Sequence, residues 1–199
     1  MVKYDQLVKR VKYVNIPNIL TLMRIIFIPV LVIVYYLPFD NATVWATAIF
    51  ALAAVTDWFD GYLARKWEQT SAFGTFLDPV ADKLIVSVTL ILLVQTYNSV
   101  WVTVAAAIII SREIVISALR EWMAELGLRS KVAVSFVGKL KTTVQMLALI
   151  LLLYQQPIAG VDLYWSGMIC LGLAALLTLW SMYLYLRAGL PLLLQQDNK

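Results

Sequence analysis

Histidine is absent from this chain of 199 residues, and cysteine occurs once, as Cys170. Without histidine, the chain lacks the side chain that most often serves as a general base or metal ligand near neutral pH. A single cysteine excludes an intrachain disulfide and a cysteine-rich zinc site. Any metal site must therefore use oxygen ligands, which favour hard cations such as Mg²⁺ or Mn²⁺.

Charged residues are also scarce: they make up 14% of the chain, whereas 62% of its residues are hydrophobic. In a soluble domain, about a quarter of the residues are charged. A membrane-spanning helix needs about 20 mostly apolar residues, and six stretches meet that requirement. We therefore expect an all-α integral membrane protein with six transmembrane helices. The predicted spans are residues 16–37, 43–63, 76–97, 100–119, 137–154 and 163–186.

Lysine and arginine are missing from three predicted loops, at residues 38–42, 96–99 and 155–162. Six spans put these three loops on one side of the membrane and both termini on the other. Loops on the cytoplasmic side carry the excess of basic residues. We therefore expect both termini and the loops near residues 65–71 and 122–135 to be cytoplasmic.

Residues 1–15 combine basic and apolar side chains ahead of the first predicted span. Such a segment can form an amphipathic juxtamembrane helix that lies on an anionic membrane surface. The alternative is a solvated basic tail that only sets the orientation of the first span. The predicted organisation is thus an interfacial segment at 1–15, one six-helix domain at 16–190 and a cytoplasmic tail at 191–199.

Four aspartates occur at or inside apolar stretches, although charge there is costly. Asp57 and Asp60 are three residues apart, and Gly74, Asp78 and Asp82 follow at spacings of four, so each set shares one helix face. The loop between the two helices is short, which makes them antiparallel neighbours whose carboxylates can face each other. Four like charges held together need neutralisation, and two divalent cations would supply it.

Each aspartate also has a structural alternative that needs no metal. A buried carboxylate can pair with a basic residue, and a carboxylate can cap a helix N-terminus. The alternatives are a buried pair of Asp57 with Arg24 or Arg112, a helix N-cap at Asp78 before Pro79, and a surface pair of Asp82 with Lys83.

The aspartates belong to a longer motif, D-x-x-D-G-x-x-A-R, then eight residues, then G-x-x-x-D-x-x-x-D. Its fixed positions are Asp57, Asp60, Gly61, Ala64, Arg65, Gly74, Asp78 and Asp82. With all eight matched, the chain resembles the CDP-alcohol phosphotransferase family. Segments such as "NIPNILTLMRIIFIPV" and "REIVISALREWMAELG" extend the similarity over most of residues 15–185. In these segments the chain resembles bacterial members of the family that use glycerol 3-phosphate as acceptor.

The resemblance implies an enzyme that transfers the phosphatidyl group of CDP-diacylglycerol to glycerol 3-phosphate and releases CMP. It implies two divalent cations, Mg²⁺ or Mn²⁺, bound by Asp57, Asp60, Asp78 and Asp82, with Asp82 also the general base. The implied CDP-donor contacts are Asn18, Thr21, Asp57, Gly61, Ala64, Arg65, Ser71 and Gly74. Hydrogen bonding at a helix end is the alternative for Asn18 and Thr21.

The phosphate of glycerol 3-phosphate needs positive charge at the acceptor site. The candidates are Arg112, Lys139, Lys141 and, more weakly, Arg120. The alternative for Arg112 is an ion pair with Glu113 or Asp57. The alternative for both lysines is a position at the start of a span from which the ammonium group reaches the membrane surface.

The family also implies membrane lipids as partners, a homodimer, no nucleic acid, and an active site on the cytoplasmic side of a bacterial cytoplasmic (inner) membrane. Three other functions stay open. The acceptor could be phosphatidylglycerol, serine or an inositol phosphate. The chain could be a divalent-cation carrier, since carboxylates inside a membrane suit one. It could also be a non-catalytic membrane scaffold, which leaves the aspartates without an account.

Overall fold

The computed structural model describes residues 16–66, 72–125 and 136–194, although at some helix ends only the backbone is described. Six α-helices account for nearly all of these residues. They are α1 (Ile16–Tyr36), α2 (Ala42–Lys66), α3 (Ala72–Tyr97), α4 (Val100–Glu125), α5 (Phe136–Tyr154) and α6 (Tyr164–Leu194). The all-α prediction is therefore confirmed for the described part of the chain. The predicted interfacial segment at 1–15 lies outside it.

Three of the described helices contain a segment long and apolar enough to cross a membrane: Ile19–Tyr36, Val100–Glu125 and Tyr164–Arg187. Shorter apolar segments occur in two others, at Ala42–Asp57 and Leu140–Tyr154. The membrane character of the chain is supported, and six spans remain a prediction.

Several helices continue beyond the predicted spans. α2 reaches Lys66, α4 reaches Glu125 and α6 reaches Leu194, while α3 begins at Ala72. The predicted spans followed hydropathy, but backbone hydrogen bonds continue through polar residues that favour helix as well. Asp78 consequently lies six residues inside α3, so the alternative that it caps a helix N-terminus is wrong.

The chain forms two compact units, residues 1–88 and 89–199, and α3 runs through the boundary. In the first unit, α1 packs against α2. Alanines occupy buried positions of α2, at Ala46 and Ala53, beside the larger buried Phe50. Small residues let neighbouring helices approach closely, and this packing brings the polar residues of α1 toward those of α2.

In the second unit, α6 packs against both α4 and α5. Ile116, Leu119 and Met123 of α4 form a buried apolar cluster with Tyr185 of α6. Near the other end of α6, a Cβ atom added at Gly167 would lie 2.7 Å from side-chain atoms of Leu152 on α5. That distance is too short for a real contact, so glycine permits the close approach of α5 and α6.

We expect Gly167→Val to destabilise the protein because the new side chain must push Leu152, which is completely buried, out of its place. Overpacking of this kind costs about 1–3 kcal/mol. Thermal unfolding of the detergent-solubilised protein, followed by tryptophan fluorescence, measures the loss.

Gly172→Val is the matched control on the same helix, because a Cβ atom there meets no described atom within 4 Å. Both variants replace a helical glycine of α6 with valine, so the difference between them reports mainly the close contact at Gly167. Equal melting temperatures for the two variants would contradict the packing described here.

Candidate active site

Asp57 of α2 and Asp82 of α3 meet at one basic side chain of α1. The Nη1 atom of Arg24 lies 2.9 Å from Oδ1 of Asp57 and donates a hydrogen bond of 2.5 Å to Oδ1 of Asp82. The two carboxylates therefore approach the same nitrogen from different helices. The spacing of the aspartates predicted that carboxylates of these two helices could face each other, and the structure places Asp57 and Asp82 in that arrangement.

Asp78 lies one helical turn before Asp82 and bonds to α1 as well. The hydroxyl group of Thr21 donates a hydrogen bond to Oδ1 of Asp78. Thr21 and Arg24 are three residues apart, so they lie on one face of α1, and both are buried. This face of α1 therefore holds both described acidic positions of α3.

From the sequence, Arg24 was expected only as an alternative partner for Asp57, and the structure places it at the centre of this site. Its side chain is 1% exposed, whereas those of Asp57 and Asp82 are 41% and 40% exposed. The guanidinium group thus lies beneath two carboxylates whose other sides are accessible. The signal was present in the sequence, because an arginine within an apolar span needs an acidic partner or a polar cavity.

Several predicted donor-site residues cannot be compared with this geometry. α2 remains helical through residues 60–66, but the side chains of Asp60, Ala64 and Arg65 lie outside the described residues, as does Gly61 beyond its backbone. The side chain of Asn18 and the whole of Ser71 lie outside them too. Gly74 is described and is buried in the first turn of α3.

A second polar cluster lies inside the other unit. Arg112 of α4 and Lys141 of α5 are both buried, and both donate hydrogen bonds to Oε1 of Glu113. The Nη2 atom of Arg112 donates a second hydrogen bond, 3.1 Å long, to the hydroxyl group of Ser181 on α6. One carboxylate thus joins two basic residues from different helices, and the three residues together carry a net charge of about +1 at neutral pH.

The other predicted acceptor residues differ in how the structure places them. Arg120 is exposed and lies eight residues after Arg112 on α4. The side chain of Lys139 lies outside the described residues. Of the alternatives for Arg112, the ion pair with Glu113 is present, at 3.2 Å between Nη1 and Oε1.

Comparison with known proteins decides the family. The family model for CDP-alcohol phosphatidyltransferase matches residues 14–183, which is most of the chain. The chain belongs to the CDP-alcohol phosphatidyltransferase family. The resemblance stated from the aspartate motif is therefore confirmed, and the motif positions of this family lie on α2 and α3.

Curated relatives named CDP-diacylglycerol–glycerol-3-phosphate 3-phosphatidyltransferase match nearly the whole chain. A protein of Salmonella choleraesuis (strain SC-B67) is 56% identical over 186 residues, which cover 92% of this chain and 98% of the relative. The Escherichia coli (strain K12) protein is 55% identical with the same coverage. The Sodalis glossinidius protein is 55% identical over 177 residues, which cover 88% and 94%.

The acidic residues fit hard divalent cations in donor type and in charge. Carboxylate oxygens are ligands that Mg²⁺ and Mn²⁺ accept, and Asp57 and Asp82 already converge on a cationic group. Among the described side chains, which do not include that of Asp60, no three metal-ligating groups form a cluster by themselves. Asp60 lies one turn after Asp57 on α2 and is the position that would enlarge the pair.

We expect Arg24→Met to destabilise the protein by about 2–3 kcal/mol, because two neighbouring carboxylates lose the cation that neutralises them. This is less than the loss of about 3–5 kcal/mol for breaking a fully buried ion pair, since both carboxylates are partly exposed. Chemical or thermal unfolding in detergent measures the change. Arg187→Met, at an exposed position of α6, is the control, and it should change stability by no more than about 0.5 kcal/mol. Similar losses in both variants would show that Arg24 is not a structural counter-charge.

Proposed function

We propose that this chain transfers the phosphatidyl group of CDP-diacylglycerol to glycerol 3-phosphate, giving phosphatidylglycerophosphate and CMP, in phosphatidylglycerol synthesis. The observation that carries the proposal is identity of about 55% over 92% of the chain with relatives named for this reaction. The convergence of Asp57 and Asp82 supports the phosphotransfer chemistry, and the buried basic pair Arg112 and Lys141 supports a phosphorylated acceptor.

Asp82 is the proposed general base. Its carboxylate is 40% exposed, so an acceptor hydroxyl can reach it, while its bond to Arg24 restrains its orientation. An Asp82 oxygen would take the proton of the hydroxyl as the hydroxyl oxygen attacks the β-phosphorus, the one that carries the diacylglycerol. The bond between that phosphorus and the bridging oxygen then breaks, and CMP leaves with the electron pair.

Asp57, Asp60 and Asp78, with Asp82, are the proposed ligands of two divalent cations. When bound, such cations neutralise charge on the pyrophosphate as CMP departs. Thr21 would orient Asp78, to which it donates a hydrogen bond. Gly61, Ala64, Arg65, Ser71, Gly74 and Asn18 remain proposed contacts of the CDP group, with Arg65 suited to bidentate contact with phosphate.

Arg112 and Lys141 are the proposed ligands of the acceptor phosphate, with Lys139 as a further candidate. Both described residues are buried, and one carboxylate balances only one of their two charges. The remaining positive charge would attract the acceptor phosphate. Arg120 is a weaker candidate because it is exposed.

The cellular setting is part of the same proposal. Apolar helices and bacterial relatives support a membrane enzyme. The basic residues, absent from three loops, support a bacterial inner membrane with both termini and the active site on the cytoplasmic side. Lipid donor would enter from the bilayer and glycerol 3-phosphate from water. A homodimer is proposed from the family resemblance alone.

We expect purified protein to release CMP from labelled CDP-diacylglycerol when glycerol 3-phosphate and Mg²⁺ are present, and to form phosphatidylglycerophosphate. The same assay with phosphatidylglycerol, serine and inositol phosphate should give little product, because the relatives are named for glycerol 3-phosphate as acceptor. Thin-layer chromatography separates the lipid products. Product formed only with one of the other acceptors would reject glycerol 3-phosphate. Divalent-cation flux into liposomes without any CMP release would favour a carrier instead.

We expect Asp82→Asn to lower kcat by about 10²–10⁴-fold, since an amide cannot accept the proton of the hydroxyl. Donor binding that depends on Mn²⁺ should remain within threefold of the parent, because Asp57, Asp60 and Asp78 would still bind the cations. Asp57→Asn should instead weaken Mn²⁺ binding itself, measured by calorimetry or electron paramagnetic resonance.

Asp40→Asn is the matched control, because Asp40 is exposed in the loop between α1 and α2. It should leave turnover and Mn²⁺ binding unchanged. Turnover at the parent level in both Asp82→Asn and Asp57→Asn would refute the assigned roles.

A further inference from the structure

Glu113 connects the two basic residues proposed for the acceptor phosphate. Its Oε1 atom accepts a hydrogen bond of 3.2 Å from Nη1 of Arg112 on the same helix. The same oxygen accepts a hydrogen bond from Nζ of Lys141 on α5. A single carboxylate oxygen therefore fixes the separation between a guanidinium group and an ammonium group that come from two helices.

The pairing of Arg112 with Glu113 is not a routine helix-surface contact. Successive residues of a helix point about 100° apart, so neighbours in sequence do not normally face each other. Here Arg112 is buried while Glu113 is partly exposed, and the arginine side chain must turn toward the side of α4 on which Glu113 meets Lys141. The hydrogen bond to Glu113 thus orients the Arg112 side chain toward α5.

α6 restrains Arg112 from another direction. The Nη2 atom donates to the hydroxyl group of Ser181, and that hydroxyl donates in turn to the backbone oxygen of Thr178 at 2.9 Å, which orients the Ser181 lone pairs. The guanidinium carbon also lies 5.6 Å from the ring centroid of Tyr185, within the range of a cation–π contact. Arg112 is therefore positioned by α6 as well as by Glu113.

Donor groups remain for a ligand in this arrangement. The Nε atom of Arg112 is buried and makes no hydrogen bond within the described part of the chain. An ammonium group carries three N–H donors and a guanidinium group carries five, so contact with one carboxylate oxygen does not exhaust either cation. A phosphate oxygen can accept from both while Glu113 stays in place.

We propose that Glu113 is a positioning residue for the acceptor site. Its carboxylate keeps Arg112 and Lys141 close together, and the phosphate of glycerol 3-phosphate binds to this pair of cations. This inference rests on the proposed function. Glu113 itself does not contact the phosphate, because two anionic groups repel. It acts through the two cations, which would otherwise repel each other and separate.

The direction in which KM for glycerol 3-phosphate changes in Glu113→Gln distinguishes a positioning role from an effect of charge alone. Glu113→Gln removes a negative charge, so by charge alone the cluster should attract phosphate more strongly and KM for glycerol 3-phosphate should fall. If Glu113 positions the cations, the same substitution releases them and KM should rise. A role confined to folding would lower the amount of active protein and leave both KM values unchanged.

We expect Glu113→Gln to raise KM for glycerol 3-phosphate at least tenfold, with KM for CDP-diacylglycerol within twofold and kcat at saturating acceptor within threefold of the parent. Glu113→Asp keeps the charge on a shorter side chain, so it should raise the acceptor KM by a smaller factor. Glu125→Gln, at an exposed position at the end of α4, is the control and should change neither KM.

An acceptor KM that is unchanged or lower in Glu113→Gln overturns the inference, and so does a parallel rise in both KM values. If Glu113→Gln does not fold, Glu113→Asp decides by the same criteria. Arg112→Gln and Lys141→Gln distinguish a failure of the Glu113 inference from a failure of the proposed function. If they raise the acceptor KM and neither Glu113 variant does, positioning by Glu113 is wrong while the proposed function stands. If the parent protein does not use glycerol 3-phosphate at all, the proposed function itself fails.

Discussion

Arg24 places a buried positive charge beneath two carboxylates, and the polar part of the first unit depends on this contact. A charge inside apolar surroundings is stable only when an opposite charge or a polar cavity compensates it. Here α1 supplies the cation, while α2 and α3 supply Asp57 and Asp82. The contact joins three helices at one point, and Thr21 adds a second bond from the same face of α1 to Asp78. The two carboxylates therefore contact Arg24 on one side and remain accessible on the other, as their proposed roles as general base and metal ligands require.

In the second unit, buried charges are also compensated by an opposite charge, but the cations outnumber the carboxylate. Arg112 and Lys141 are the buried cations, and Glu113 is the single acidic group that the described residues bring to both of them. The first cluster has an excess of carboxylate, which suits cations, and the second has an excess of positive charge, which suits an anion. Among the described residues, each cluster carries an excess of one charge, and this excess supports the proposal of a ligand in each unit.

Glycine and alanine serve packing in this fold. Gly167 lets α6 approach Leu152 of α5 closely, and Ala46 and Ala53 occupy buried positions of α2. In a membrane, close approach replaces much of the hydrophobic driving force that packs helices in water. The packing of α4, α5 and α6 matters for the basic cluster, since its hydrogen bonds join all three helices and each spans only a few ångströms.

The sequence by itself determined the helical class, the membrane character, the family and the face on which the aspartates lie. Hydropathy, the absence of histidine and the eight-position motif are local properties, and helix periodicity converts them into faces. Only the tertiary structure decided which cation each carboxylate meets. Asp57 had two candidate arginines in the sequence and pairs with Arg24, and Asp78, which could have been a helix cap, lies inside α3 and bonds to Thr21. The helix ends also differed from the predicted spans, because hydropathy marks where apolar residues stop and backbone hydrogen bonding does not stop there. Partners distant in sequence depend on how helices pack, and that packing cannot be read from spacing along one chain segment.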